Sequence, residues 1–119
     1  MRVSFTIMSV YMKDGIGLSG INLDIMQTIG QFVMQLRTPW VLAGDWNLEP
    51  ETLRAAGWLH CIGGEIVAPA EQTCAKGMGS CLDFFIVSTA LSPFVVSIET
   101  WPDAPISPHS PLTMVIGVL

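Results

Sequence analysis

Apolar positions, many of them β-branched or aromatic, dominate "RVSFTIMSVYM", residues 2–12, and predict a β-strand. Glycines punctuate the loop "KDGIGLSG" that follows. From Ile21 the pattern changes: Ile21, Ile25, Ile29, Phe32, Val33 and Leu36 fall at helical spacing, predicting an amphipathic helix over 21–37 with Ser19 or Asn22 as its cap. The helix stops before Thr38-Pro39, since the residue ahead of a proline avoids the α region. "WVLAG" reads as a short buried strand. "EPETLRAAG" reads as a short helix, with Pro50 and Glu51 at its start and Gly57 at its end. "WLHCIG" reads as an edge strand and "AKGMGS" as a turn. "CLDFFIVS", "FVVSIETW" and "LTMVIGVL" read as three further strands. The order β-α-β-α-β-β-β-β predicts an α/β fold, one mixed sheet with helices on one face and no evident cover on the other.

Composition sharpens that last point. The 119 residues are a single-domain length, yet 50% are hydrophobic and only 13% charged, against about 25% charged in an ordinary soluble domain. Such a chain expects to bury a second face against something else: another copy, a different subunit, or a further part of the same domain. No apolar run approaches the roughly 18 residues that span a bilayer. Ser4, Thr6 and Ser9 interrupt the N-terminal stretch where a signal peptide would be continuously apolar.

The net charge is −5, and Arg2, Lys13, Arg37, Arg54 and Lys76 are scattered. No basic cluster is present to grip a phosphate backbone, so contact with nucleic acid would depend on a metal ion or a few directed groups. Cys61, Cys74 and Cys81 are an odd count without CxxC spacing. With His60 they match no standard zinc pattern, and they read as free thiols, which leans toward a reducing, intracellular compartment.

Four polar features stand at strand ends, where open α/β sheets place ligands. Asp45 and Asn47 follow "WVLAG", Asp83 interrupts "CLDFFIV", His109 sits in "SPHSP", and Tyr11 ends the first strand. Each has an ordinary reading: "GDWN" as an Asx turn, Asp83 as an exposed edge residue, His109 as a loop histidine, Tyr11 as a strand aromatic. Against these, a carboxylate between Leu82 and Phe84 needs a donor, and His109 in its proline-flanked loop would supply one.

Taken together and in order, these motifs resemble the endonuclease/exonuclease/phosphatase superfamily, the deoxyribonuclease I-like metal-dependent phosphoesterases. "SVYM" is similar to the family's tyrosine-ending strand, "PWVLAGDWNLEP" to its Gly-Asp-aromatic-Asn motif, "SCLDFFIVS" to its Ile/Leu-Asp-Tyr/Phe strand, and "SPHSPL" to its Ser-Asp-His-x-Pro motif. The resemblance spans nearly the whole chain but only the C-terminal half of that fold. It implies that residues 1–119 form a single partial domain, half of a four-layer α/β sandwich whose two sheets pack together. It further implies that Asp45, Asn47, His109, Asp83 and Tyr11 are catalytic, with Mg²⁺ (or Mn²⁺) as cofactor. Asp45 would orient or deprotonate the attacking water. Asn47 would position water and a phosphate oxygen. His109, held by Asp83, would donate to the phosphoryl oxygens, and Tyr11 would contact the phosphate. The substrate would be a phosphoester, with nucleic acid among the candidates.

The chain departs from the family pattern in three places. The family's metal-binding Glu lies in the N-terminal half, Pro108 stands where an Asp usually precedes the histidine, and Ser80 occupies a region where many relatives carry Arg. Asp45 would then be the one metal-binding carboxylate, an incomplete site for an ion that wants one or two carboxylates besides its waters. The resemblance therefore implies little or no activity for the chain by itself, and a need for an N-terminal half, a partner subunit or self-association. The alternative is a non-catalytic, self-associating module derived from the same fold.

Overall fold

The computed structural model describes residues 4–117; the outer ends of the first and last predicted strands, 2–3 and 118–119, lie outside the described residues. The elements are β1 (Thr6–Tyr11), α1 (Ile21–Gln35), β2 (Trp40–Asp45), α2 (Pro50–Ala55), α3 (Trp58–Ile62), β3 (Gly64–Val67), β4 (Asp83–Ser88), β5 (Val95–Thr100) and β6 (Leu112–Ile116). Four strands form a mixed sheet in the order β1-β2-β4-β3, with β1 parallel to β2 and the other pairs antiparallel.

The helices all serve one face of this sheet. Helix α1 buries Asn22, Met26, Ile29 and Val33, a stripe at spacings of four, three and four. That stripe packs with Leu53 of α2 and Trp58, Leu59 and Ile62 of α3 against Val10, Leu42, Phe84 and Ile86 of the strands. Each fully buried aliphatic or Phe side chain there is worth about 1.5–3 kcal/mol, which makes this layer the main source of stability.

The fold class is the expected α/β with helices on one face, but the six strands divide into two ladders. Strands β5 and β6 pair only with each other. Their Val95, Met114 and Ile116 pack on Val41, Val87 and Leu91 of the opposite face. That face is thus partly covered, where the sequence pattern predicted none, because a hairpin read as further sheet strands folds over instead. Its remainder is a groove lined by Phe5, Ile7, Val41, Phe85, Met114 and Ile116, with Ile7 63% exposed.

Two local expectations fail. "WLHCI" is a single helical turn, α3, and the neighbouring strand is Gly64–Val67. Gly57 and Gly63, both with positive φ, bracket that turn and stop it on either side, which a β-prone composition conceals. Neither Ser19 nor Asn22 caps α1, whose N-cap position is Gly20. Asn22 has no solvent exposure; it accepts from Lys13 N–H and donates to the carbonyls of Lys13 and Gly17. It therefore closes the β1–α1 loop instead of capping the helix.

Candidate active site

Strand register alone brings three of the polar residues into one row. Tyr11 of β1 pairs with Asp45 of β2, and Asp45 pairs with Asp83 at the start of β4. Side chains alternate across a sheet, so all three share the face opposite the helices. Gly44, just before Asp45, is required by strand packing and not by a turn: it lies within β2, and a Cβ there would collide with the carbonyl of Val10 in β1.

The turn belongs to Asn47, which adopts a left-handed backbone with φ 49°, a conformation asparagine tolerates better than most residues. Its N–H donates to Asp45 Oδ1 at 3.1 Å, so the Asx turn and the polar row coexist. The Asn47 side-chain amide donates to the Met12 carbonyl, binding the ends of β1 and β2 together. Between these two polar residues Trp46 points the other way. It has no solvent exposure, stacks on Phe84 at 5.6 Å and 15°, and donates Nε1–H to the Phe84 carbonyl at 3.0 Å. This anchor holds the backbone from which Asp45 projects.

His109 joins the row from the loop before β6. Its Nδ1 lies 2.7 Å from Asp83 Oδ2, and its Nε2 lies 3.6 Å from Asp45 Oδ2. The first contact is a short hydrogen bond; the second is too long for one and leaves the Nε2 face directed at Asp45. The hydrogen bond to Asp83 raises the His109 pKa above the ordinary imidazole value, partial burial opposes it, and the charges of Asp83 and Asp45 add to the rise. Asp45 is also raised, first by burial; the Asn47 N–H lowers it, Asp83 raises it, His109 lowers it and Asp14 raises it.

Tyr11, Asp45, Asn47 and His109 line one open cleft of about 500 Å³, joined by Asp14, Cys74, Lys76, Ser80, Leu82 and Pro108. Asp83 stands behind it, gripping His109. Nothing local in the sequence marks Asp14 or Lys76 as site residues: both sit in glycine-punctuated loops that look like plain connectors. Pro108 contributes a carbonyl, which accepts from Ala75 N–H at 2.8 Å, and no anion. Burial pushes the Cys81 thiol up, with Glu49 and Asp83 adding to the rise and a Thr73 hydrogen bond opposing it, so it stays a neutral thiol beside the cleft.

Ligand atoms of Asp45, Asp83 and His109 lie within 4.8 Å of one another, the one such grouping of three among the described residues. His60 and the cysteines do not assemble a comparable set. Asp83 Oδ2 and His109 Nδ1 are taken up by their mutual bond. Among the described residues Asp45 Oδ2 has no hydrogen-bond donor, and the Asp14 carboxylate lines the same cleft. One or two hard oxygen donors beside open space suit a divalent cation that keeps most of its waters.

No protein-family model matches the sequence, and no curated protein matches it. Solved structures do. The 3′ phosphatase NExo from Neisseria, bound to product DNA hairpin, superposes with a TM-score of 0.73 at 14% identity over 94% of this chain and 61% of its own. The Haemophilus ducreyi cytolethal distending toxin gives 0.71 at 19% identity over 98% of this chain and 50% of its own. An AP endonuclease from Archaeoglobus fulgidus gives 0.62 at 17% identity, over 94% and 62%. The fold is that of the endonuclease/exonuclease/phosphatase proteins. The chain spans about half to three fifths of the length of these structures. Among the described residues no helix is long and apolar enough to cross a membrane.

Proposed function

We propose that this chain carries the C-terminal half of a Mg²⁺-dependent phosphoesterase site of the endonuclease type, acting on phosphodiesters, with weak turnover by itself. The observation that carries this reading is the row Tyr11–Asp45–Asp83 with His109 hydrogen-bonded to Asp83 at 2.7 Å. DNA as the substrate is supported by the Neisseria phosphatase, whose structure contains a DNA product.

The chemistry follows from the environments. Asp45, with its pKa raised by burial, is a better proton acceptor than an exposed carboxylate and stands where it can orient or deprotonate an attacking water. His109 keeps its proton to higher pH because of Asp83. Its Nε2–H, too far from Asp45 at 3.6 Å to be bonded to it and lining the cleft, is available to donate to a phosphoryl oxygen as charge develops. Tyr11 at the cleft rim donates to a second phosphate oxygen, and the Asn47 Oδ1 orients the water. Asp45, with Asp14 nearby, would hold a Mg²⁺ ion, which supplies Lewis-acid neutralisation of the phosphate. The low rate follows from the shortage of anions: Pro108 brings no carboxylate, and neither Glu49 nor Glu51 lines the cleft.

The test is hydrolysis of a chromogenic diester and of plasmid DNA with Mg²⁺, with EDTA, and with Asp45→Ala. Mg²⁺-dependent turnover that Asp45→Ala abolishes is the expected result. Equal rates in wild type and Asp45→Ala would end the catalytic reading and leave the second one, a self-associating module. That alternative is favoured by the apolar groove holding the 63%-exposed Ile7. It predicts a doubled mass in light scattering that Ile7→Glu returns to the monomer value.

A further inference from the structure

Thr73 is neither in the polar row nor on any strand or helix, yet it has no solvent exposure. It lies in the connection between β3 and β4. Its hydroxyl oxygen accepts the backbone N–H groups of Leu82 and Asp83, both at 2.9 Å. A hydroxyl has two acceptor lone pairs, and here both serve consecutive amides at the entrance of β4. The Thr73 backbone is committed as well: its N–H donates to Ser80 at 2.9 Å, and its carbonyl accepts Ser110 N–H at 2.8 Å. The next residues continue the splice, with Cys74 bridging both Ser80 and His109 and Ala75 N–H donating to Pro108.

Asp83 and His109 are 26 positions apart in the chain; one opens β4 and the other lies in the loop before β6. Their side chains meet at 2.7 Å only if two backbone segments are held in register, and Thr73 touches both. We propose that Thr73 is a positioning residue for the site: its hydroxyl fixes the backbone of Asp83, its carbonyl fixes the His109 loop, and the Asp83–His109 hydrogen bond depends on the two together. The catalytic consequence rests on the phosphoesterase reading above; the geometric consequence does not.

Valine has the shape of threonine without the acceptor, so Thr73→Val leaves the partly buried Leu82 and Asp83 amides unpaired, and the start of β4 shifts to re-pair them. Serine restores the acceptor. In ¹⁵N-labelled full chain at alkaline pH, where the ring is neutral, wild-type His109 carries its proton on Nδ1, held by Asp83. A neutral imidazole without that partner favours Nε2–H. The expected result is that Thr73→Val moves the His109 ring shifts toward the Nε2–H pattern, Thr73→Ser keeps the wild-type pattern, and His60 is unchanged in all three. A wild-type Nδ1–H pattern in Thr73→Val would overturn the proposal. If Thr73→Val does not fold, wild-type hydrogen exchange decides: Leu82 and Asp83 amides as protected as the β2–β4 ladder support it, and exchange at loop rates overturns it.

Kinetics provide a second readout where turnover is measurable. Thr73→Val lowers kcat roughly 10- to 100-fold, as losses of supporting groups around reactive sites do, with KM little changed and Thr73→Ser close to wild type. In an Asp83→Asn background the same substitution has no further effect, because the two act through one hydrogen bond; full additivity would count against it. Absence of turnover in every protein would defeat the phosphoesterase reading and leave the ring-tautomer result to judge Thr73 alone.

Discussion

On the helix-covered face of the four-stranded sheet Met12, Leu42, Trp46, Phe84 and Ile86 are at most 1% exposed, whereas on the opposite face Tyr11 is 68% and Ile7 63% exposed. The same strands build both. Asp45 and Trp46 are chain neighbours that point to opposite sides, so stability and candidate chemistry are separated by one residue of strand register. The difference teaches that the covered layer carries most of the folding free energy and, through Trp46, holds the backbone on which the polar row of the other face stands.

The largest effect expected from that separation is on the covered face. Trp46→Ala should lower the free energy of unfolding by about 3–5 kcal/mol, measured by denaturant titration, while Ile7→Ser on the other face should change it by less than about 0.5 kcal/mol. Comparable losses would mean that the second face is as completely packed as the first. Next comes Asn22, the one polar member of the α1 stripe. Asn22→Ala strands three backbone groups of the β1–α1 loop and should cost about 1–3 kcal/mol, with Asp14 losing its place at the cleft.

Smaller effects belong to the polar row and are read through pH. The folded-state pKa of His109 is raised, chiefly by the hydrogen bond to Asp83. The stability this pair adds is therefore complete below the unfolded-state imidazole pKa and disappears as pH rises through the higher folded-state value. The margin of wild type over Asp83→Asn should narrow across that window in unfolding curves; a margin independent of pH would mean the pair is not titrating. Asp45 is raised as well, by burial first, so keeping it ionised at neutral pH costs the folded state. Asp45→Asn should melt slightly above wild type while losing hydrolysis, and a lower melting temperature would assign Asp45 a structural role.

Much of this was legible in the chain. Helical periodicity marks α1, and β-prone, alternating or continuous apolar runs mark β1, β2, β4, β5 and β6; the polar residues that break those patterns are the ones brought together at the cleft. What escaped has physical reasons. One turn of helix, as in α3, is too short to display a period. The reason for Gly44 is a neighbouring strand that local sequence does not contain. Asp14 and Lys76 acquire meaning only when loops close over the strand ends. Thr73 makes its bonds to residues far along the chain, and nothing beside it in sequence marks it. Whether the last two strands join the sheet or fold over it is likewise a tertiary matter, since either placement buries the same alternation.

Among the described residues Lys76 is the one Lys or Arg lining the cleft, on a chain of net charge −5. Ionic strength should then have little hold on the encounter with a polyanion. Each phosphate neutralised by a cationic side chain contributes a slope of about −0.9 to the logarithmic dependence of affinity on salt for duplex DNA, so a single cation gives a slope near that value. On the phosphoesterase reading, this half of the site would neither draw DNA from a distance nor slide along it, and would depend on diffusion to present an ester to its cleft.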